Sequence, residues 1–480
     1  MRTFVSLLAL GLLASAVACT GTQDDDAATD ESAVTTGWVT SEVQQRLRVS
    51  NPRDEGTLWA VTNGNLLTPD AILQMPRGDF WGQASVPANH SDYILDEIYG
   101  VMTRAQNTLD ITSLWVPTGK YMDTMRKALG ELDKKNSQVY VRFLFGGYPG
   151  YEPDLAATLK ELTRDMRHAT YMHVSVGTYW TSANTWNHSK IIAADGREAI
   201  VGGMNLNDRH YLGADPVHDM SLHLRGPVTV TAQNYVNELW KDPCADGKVA
   251  SIRGVTCPKP FVMAPSSSAP LGNVRMIPVG RTGHSFHNPS DTALVAMMDM
   301  AKNGGSIKIS QQDIGSYKIV GGGVLPDAYL DAFTRAARRG VDVTVVVSND
   351  ESYGGGTHDK DDAYFNDWSL QDLWNGLVRR ADQQWPGNLA NLCKHVHFAR
   401  LRASASPTWA SGMPYANHAK VVIVDDQAHY VGSQNLYDAD LAEFGVIVDD
   451  QPATQRMISE YWNKLAQFSV PTTYVDRACR

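Results

Sequence analysis

The sequence predicts an α/β fold of two similar α/β/α layered halves, related by a pseudo-twofold with one active site between them. Three observations predict it. At 480 residues the chain exceeds the size at which a single core usually stops growing. Helical and strand-like segments alternate, and the strands are apolar runs suited to burial on both faces. The same order of segments then occurs twice.

The first half runs from helix-like "SDYILDEIYGVMTRAQ" into strand-like "TLDITSLWV", then helix "KYMDTMRKALGELDKK" and strand "QVYVRFLFG". The second repeats this as "DTALVAMMDMAKNG", "SIKISQQDI", "LPDAYLDAFTRAARRG" and "VDVTVVVSND". The Pro- and Ser-rich "CPKPFVMAPSSSAPLGN" separates the halves. The expected division is a signal peptide at 1–18, an acidic tether at 19–40, an N-terminal domain at 41–257, a linker at 258–275 and a C-terminal domain at 276–480. The acidic, Gly-rich "SNDESYGGGTHDKDDAY" is expected to be a solvated loop.

The amino terminus predicts export. Arg2 precedes the short apolar run "FVSLLALGLLASAVA", which ends in Ala16-Val17-Ala18 before Cys19 and a polar acidic stretch. That order predicts either a lipoprotein anchored through Cys19 or a freely secreted protein. Residues 1–40 hold Arg2 against Asp24, Asp25, Asp26, Asp30 and Glu31, a net of −4, which leaves −6 of the total −10 for the body. Such a body repels polyanions, so no nucleic-acid partner is expected. An exported chain can oxidise its remaining cysteines. Cys244 and Cys257 bracket a short Gly-containing loop and are the expected pair, with Cys393 joined to Cys479, although four cysteines allow three connectivities.

Each half closes on the same motif, H-x-K-x4-D-x6-G-[G/S]-x-N. His188, Lys190, Asp195, Gly202, Gly203 and Asn205 are answered by His418, Lys420, Asp425, Gly432, Ser433 and Asn435. A match to such a pattern arises by chance on the order of 10⁻⁷ to 10⁻⁸ per start position, so two copies in one chain are no coincidence. Folded as two-residue hairpins centred on Gly196/Arg197 and Asp426/Gln427, the motifs place His188 opposite Asn205 and His418 opposite Asn435. Gly203 and Ser433 then leave room over the lysines. Strand alternation would point histidine, lysine and asparagine the same way. Asp195 and Asp425 lie roughly 16 Å beyond the lysines on an extended strand, which makes them turn-forming or structural residues. Two cationic, donor-rich clusters brought face to face would hold one compact anion such as a phosphodiester, with fixed donors supplying charge stabilisation. No metal or other cofactor is expected, and "KHVHFAR" (His395, His397) is too slight a pattern to suggest one.

These motifs resemble the phospholipase D superfamily. The flanks "WNHSKIIAADGREAIVGGMN", "DPVHDMSLHLRGP", "IKISQQDI" and "RASASPTWASGMPYANHAKVVIVDDQAHYVGSQNLYDADLAEFGVIVDD" resemble the secreted, Streptomyces-type enzymes, over roughly residues 75–470. The resemblance implies a duplicated fold with mixed central sheets and a two-step displacement through a phosphohistidine. By position His188 matches the nucleophile and His418 the general acid and base, while Lys190, Lys420, Asn205, Asn435, Gly203 and Ser433 surround the phosphate. Asp219 in "PVHDMSL" and Glu443 in "LAEFGVI" match the carboxylates that orient the imidazoles, in an order the sequence leaves open. Glu443 departs from the aspartate expected there.

The implied activity is hydrolysis of the distal phosphodiester of glycerophospholipids at a membrane or micelle surface, with transfer to alcohols, by a monomer. The alternatives are a nuclease, a cardiolipin synthase-like phosphatidyl transferase, or a silent lipid-binding lipoprotein. Trp115 and Trp186 are candidate lipid contacts. Tyr179, Trp180 and Trp409 are weaker ones, and His210 and His218 are expected to support the site or lie at the surface.

Overall fold

Each predicted repeat builds one mixed sheet, and the two sheets share a strand order. In the computed structural model the described residues are 37–480, apart from 88, 169, 183–184, 264–268, 284–287, 316–323, 355–362 and 438–439. The expected export signal, Cys19, most of the tether, part of the linker and the middle of the acidic loop lie outside them.

The first sheet runs Val249–Ser251, Met172–Ser182, Val139–Gly146, Thr108–Ser113, Ile191–Ala194, Glu198–Gly202, Asp219–Arg225, Ile72–Met75. The second, read in the same sense, runs Val396–Arg400, Asp342–Val347, Ser306–Ser310, Val421–Val424, Ala428–Gly432, Ala442–Asp449, Val274–Thr282, Thr62–Asn65. In both, the three strands before the motif hairpin are parallel and the rest antiparallel. Parallel neighbours need crossover helices, and these are the segments read from the 3.6-residue pattern. Gly119–Lys134 buries Tyr121, Met125, Leu129 and Leu132. Asp327–Arg338 buries Leu330, Phe333, Ala336 and Ala337.

Strand alternation sorts the core into three layers. Ile191, Ala193, Val421 and Ile423 point into a central cluster between the sheets. Their neighbours Ile192 and Ala194, and Val422 and Val424, point into separate outer clusters. The helix Val228–Asp246 and the helical run Gln451–Ser469, which follow equivalent strands, supply the central layer with Tyr235, Leu239, Met457 and Tyr461. Apolar side chains on both strand faces therefore serve two cores.

One expected boundary fails. Residues 41–65, assigned to the first half, and 38–40, assigned to the tether, belong structurally to the second half. The helix Trp38–Ser50 packs on Pro289–Asp299, and Thr62–Asn65 pairs with Val274–Thr282. Burying Val39, Val43, Leu47 and Trp59 in the second outer core outweighs proximity along the chain. The disulfides are Cys244–Cys257 and Cys393–Cys479, with Cα–Cα separations of 5.0 and 5.3 Å. Among the described residues no helix is long and apolar enough to cross a membrane.

Candidate active site

The motif hairpins differ from the expected register by one residue. Ala194 pairs with Glu198 and Val424 with Ala428, so each loop holds three residues rather than two. Asp195 and Gly196 both take positive φ, as do Asp425 and Asp426, a conformation that Asp and Gly tolerate best. The cause lies in the aspartates. Asp195 accepts the backbone N–H groups of Gln106, Asn107 and Thr108 at 2.7–2.8 Å. Asp425 accepts those of Lys302 and Ser306 at 2.7 and 2.9 Å. Each thereby ties its loop to a neighbouring strand entry, far from the histidines. Gly202, not Gly203, consequently stands opposite Lys190, and Gly432, not Ser433, opposite Lys420. The expected facing of His188 with Asn205 and of His418 with Asn435 is corrected accordingly.

What brings the motifs together is a reciprocal exchange between the halves. His188 donates its backbone N–H to the carbonyl of Ala442 (2.8 Å), and its Nδ1 lies 2.9 Å from Oε1 of Glu443. His418 donates its N–H to the carbonyl of His218 (2.7 Å), and its Nδ1 lies 2.7 Å from Oδ2 of Asp219. Both carboxylates therefore cross, which answers the order the sequence left open. Each histidine is held at backbone and ring by two consecutive residues of the opposite half. The ring centroids are 6.3 Å apart at an interplanar angle of 79°. A carboxylate on Nδ1 fixes the proton there and turns Nε2 to the other side.

Four basic groups crowd this buried junction. Lys190 and Lys420 donate to the carbonyls of His188 and His418 at 2.5 and 2.6 Å. Burial lowers His188 to about 4, with Glu443 opposing, and lowers Lys190 to about 8. Burial and the two lysines push His418 well below the ordinary imidazole range, and burial pushes Lys420 down against Asp219. Burial likewise pushes Asp219 up to about 7, with Lys420 opposing. In Glu443 burial acts upward, but His188 and Arg281 outweigh it and the group stays below its usual range. The side-chain oxygens of Asn205 and Asn435 are buried and have no hydrogen-bond partner among the described residues. Those oxygens are acceptors, so the groups complementary to a small anion here are the Lys190 and Lys420 ammonium groups and the histidine rings. Among the described residues, no group of three or more His, Cys, Asp or Glu is placed to hold a metal ion.

Gly203 and Ser433 serve the carboxylates rather than the lysines. A Cβ on Gly203 would fall 2.2 Å from Oδ1 of Asp219 and 3.0 Å from the carbonyl of His418. Ser433 instead uses its side chain, donating to Oε2 of Glu443 at 2.5 Å. Gly203→Ala is expected to displace Asp219 and lower kcat by about 10²-fold, the penalty for misplacing a reacting group by an ångström. Steady-state turnover checks this, and wild-type kcat would contradict it.

Sequence reasoning missed three residues here. Tyr211 donates to Oδ2 of Asp219 at 2.8 Å and lies 3.2 Å from Nδ1 of His418. Tyr364, at the end of the acidic loop, stands edge-on to His418 at 4.9 Å between centroids. Nothing in the local pattern marks either tyrosine. Arg281, buried beside Glu443, had a signal, since a charge that follows the apolar run 276–280 of its strand needs a buried partner.

The aromatic candidates divide. Trp115 donates from Nε1 to Tyr148 at 3.0 Å, Tyr148 packs 5.7 Å from Trp186, and all three are half-buried. Trp115 also meets His210 edge-on, and His210 bonds to Tyr364 at 2.9 Å, so this wall leads to His418. Tyr179 and Trp409 are core residues. Trp180 is half-buried. His395 pairs with Asp342 at 2.7 Å.

His210 and His218 are buried rather than on the surface. Burial lowers His210 to about 4 and His218 and His429 to about 3, against an ordinary 6.5. The unfolded chain takes up these protons first, so their contribution to stability is complete above pH 6.5 and lost as pH falls toward 4 and 3. Thermal midpoints should decline steadily from pH 7 to pH 4. A flat profile would refute this.

Residues 294–465 match the family described as "Cardiolipin synthase, PLD-like domain". Phospholipase D of Streptomyces antibioticus is 28% identical, covering 91% of this chain and 88% of its own. Cardiolipin synthase of Halalkalibacterium halodurans is 28% identical over 45% of this chain and 40% of its own. The crystal structure of phosphatidylserine synthase from Haemophilus influenzae Rd KW20 superposes with a TM-score of 0.51 at 12% identity, covering 84% of this chain and 89% of that one. That last likeness concerns the fold alone.

Proposed function

Since this chain belongs to the phospholipase D superfamily, a phosphodiesterase-type family, we propose that it is an exported phospholipase D. It would cleave glycerophospholipids at the distal phosphodiester, yielding phosphatidic acid and the free head group. The observation that carries the proposal is the pair of imidazoles, each held at Nδ1 by a carboxylate of the opposite half, with ring centroids 6.3 Å apart.

In step one Nε2 of His188 attacks phosphorus and the bond to the head-group oxygen breaks. His418, protonated on both nitrogens, gives its Nε2 proton to that oxygen. In step two neutral His418 takes a proton from water, whose oxygen attacks phosphorus and breaks the N–P bond. One hard displacement becomes two easier ones, each with proton transfer. A bound phosphodiester anion would oppose the burial and the lysine charges that push His418 below the ordinary imidazole range. Lys190, Lys420, Asn205 and Asn435 would meet the non-bridging oxygens. Trp115 and Trp186 would meet the lipid, with the monomer working at a membrane or micelle surface. An alcohol in place of water gives a new phospholipid.

The family match over residues 294–465 favours a second reading, phosphatidyl transfer to a lipid alcohol. The test is mass spectrometry of products after the protein meets phosphatidylcholine and phosphatidylglycerol vesicles with added ethanol. Phosphatidic acid, choline and phosphatidylethanol are expected. Cardiolipin as the dominant product would favour the second reading. Intact lipid would reject both.

A further inference from the structure

We propose that Arg281 is a positioning residue that makes the two histidines unequal, fixing Glu443 as the permanently anionic partner and so committing His188, rather than His418, to carry the phosphoryl group. The inference rests on the covalent reading above and deepens it.

The pseudo-twofold sets Asp219 and Glu443 at equivalent places, each on the strand that follows its motif hairpin and each paired on the outer side with another strand. The cross-strand partner of Asp219 is Met75, whereas that of Glu443 is Arg281. A thioether in one half thus answers a guanidinium in the other. Arg281 is 1% exposed, with Nη1 3.0 Å from Asp291 and Nη2 3.9 Å from Oε1 of Glu443. Its Nε and Nη2 have no hydrogen-bond partner among the described residues. A guanidinium cannot discard its charge by deprotonating, so the nearby carboxylates must supply the compensation.

The other groups around Glu443 leave this balance intact. His188, Lys190 and Lys420 reach it from the motifs, Tyr235 from the central helix, Tyr430 from the adjacent strand and Tyr437 from the loop beyond. Around Arg281 stand Asp291, Tyr329 and Tyr437. Against burial, His188 first and Arg281 next hold Glu443 below its ordinary range, while burial raises Asp219, which has no guanidinium beside it among the described residues, to about 7.

Chemistry assigns the roles from there. When Nε2 takes the phosphoryl group and Nδ1 keeps its proton, the ring becomes cationic. A fixed carboxylate on Nδ1 stabilises that cation. A partner that gains a proton near neutrality gives less support, which instead makes its imidazolium a better acid. The first description fits His188 and the second His418.

The test uses the full chain and a short-chain phosphatidyl p-nitrophenol, with rapid-quench measurement of the p-nitrophenol burst against pH. Arg281→Met copies the other half, and loss of the opposite charge should move the acid limb of the burst upward by about 1–3 pH units. Arg281→Lys should restore most of the profile, which a purely steric role would not. If Arg281→Met does not fold, infrared titration of the wild type decides. A protonated-carboxyl band growing from pH 8 to pH 5 should vanish in Asp219→Asn and persist in Glu443→Gln. A band that instead vanishes in Glu443→Gln overturns the proposal, as does an Arg281→Met burst with the wild-type pH profile. A wild type without a burst sinks the covalent reading and this inference together, whereas an unmoved profile sinks only the arginine's role.

Discussion

His188→Asn is expected to abolish turnover, by on the order of 10⁵-fold, because the loss of a nucleophile removes the covalent route altogether. The effect should fall on kcat with every head group and every acceptor alcohol, since both half-reactions pass through the same N–P bond. The burst of p-nitrophenol from an activated diester should disappear as well. Asparagine keeps a polar side chain in reach of Glu443, whose Oε2 is still held by Ser433, so the fold should survive. Circular dichroism and thermal unfolding provide the control. A folded His188→Asn protein with substantial turnover would mean that another group attacks phosphorus.

His418→Asn should behave differently, and the difference is the informative part. With phosphatidylcholine, whose alcohol needs a proton to depart, the rate should fall by about 10² to 10⁴-fold, the usual contribution of general acid–base catalysis. With p-nitrophenol as leaving group no proton is needed, so the burst should remain while the second step stalls for want of a base. The covalent enzyme should then accumulate, and peptide mapping after an alkaline quench should find the phosphoryl group on His188. Equal losses with both leaving groups would contradict the assignment. Asp219, 2.7 Å from Nδ1 of His418, should show a weaker version of this pattern when changed to asparagine.

Much of this arrangement was legible in the chain. The duplicated order of helices and strands needed only periodicity and the repeated motif, and the two sheets carry it as equivalent strand orders. The motif residues could be named because the same spacing of His, Lys, Asp, Gly and Asn occurs twice in the chain. The register itself was not legible. Two-residue and three-residue loops suit the same Asp and Gly residues, and the choice is made by the N–H groups of Gln106 to Thr108, which only the fold brings to Asp195. The crossing of Asp219 and Glu443 was hidden for the same reason. It depends on how two sheets face each other, and that is set by the central core of Val228–Asp246 and Gln451–Ser469. Residues 41–65 went to the wrong half because chain order was the only guide to their partners. Tyr211 and Tyr364 belong to no periodic segment, so nothing local marked them.

The central claim is that two imidazoles, one from each half, act in turn on one phosphorus through a covalent intermediate. The configuration at phosphorus tests it most directly. A chiral phosphatidyl phosphorothioate converted by this protein to a new ester with a primary alcohol should keep its configuration, because two in-line displacements cancel. Inversion would mean a single direct attack by the acceptor, and the nucleophilic role of His188 would have to be abandoned.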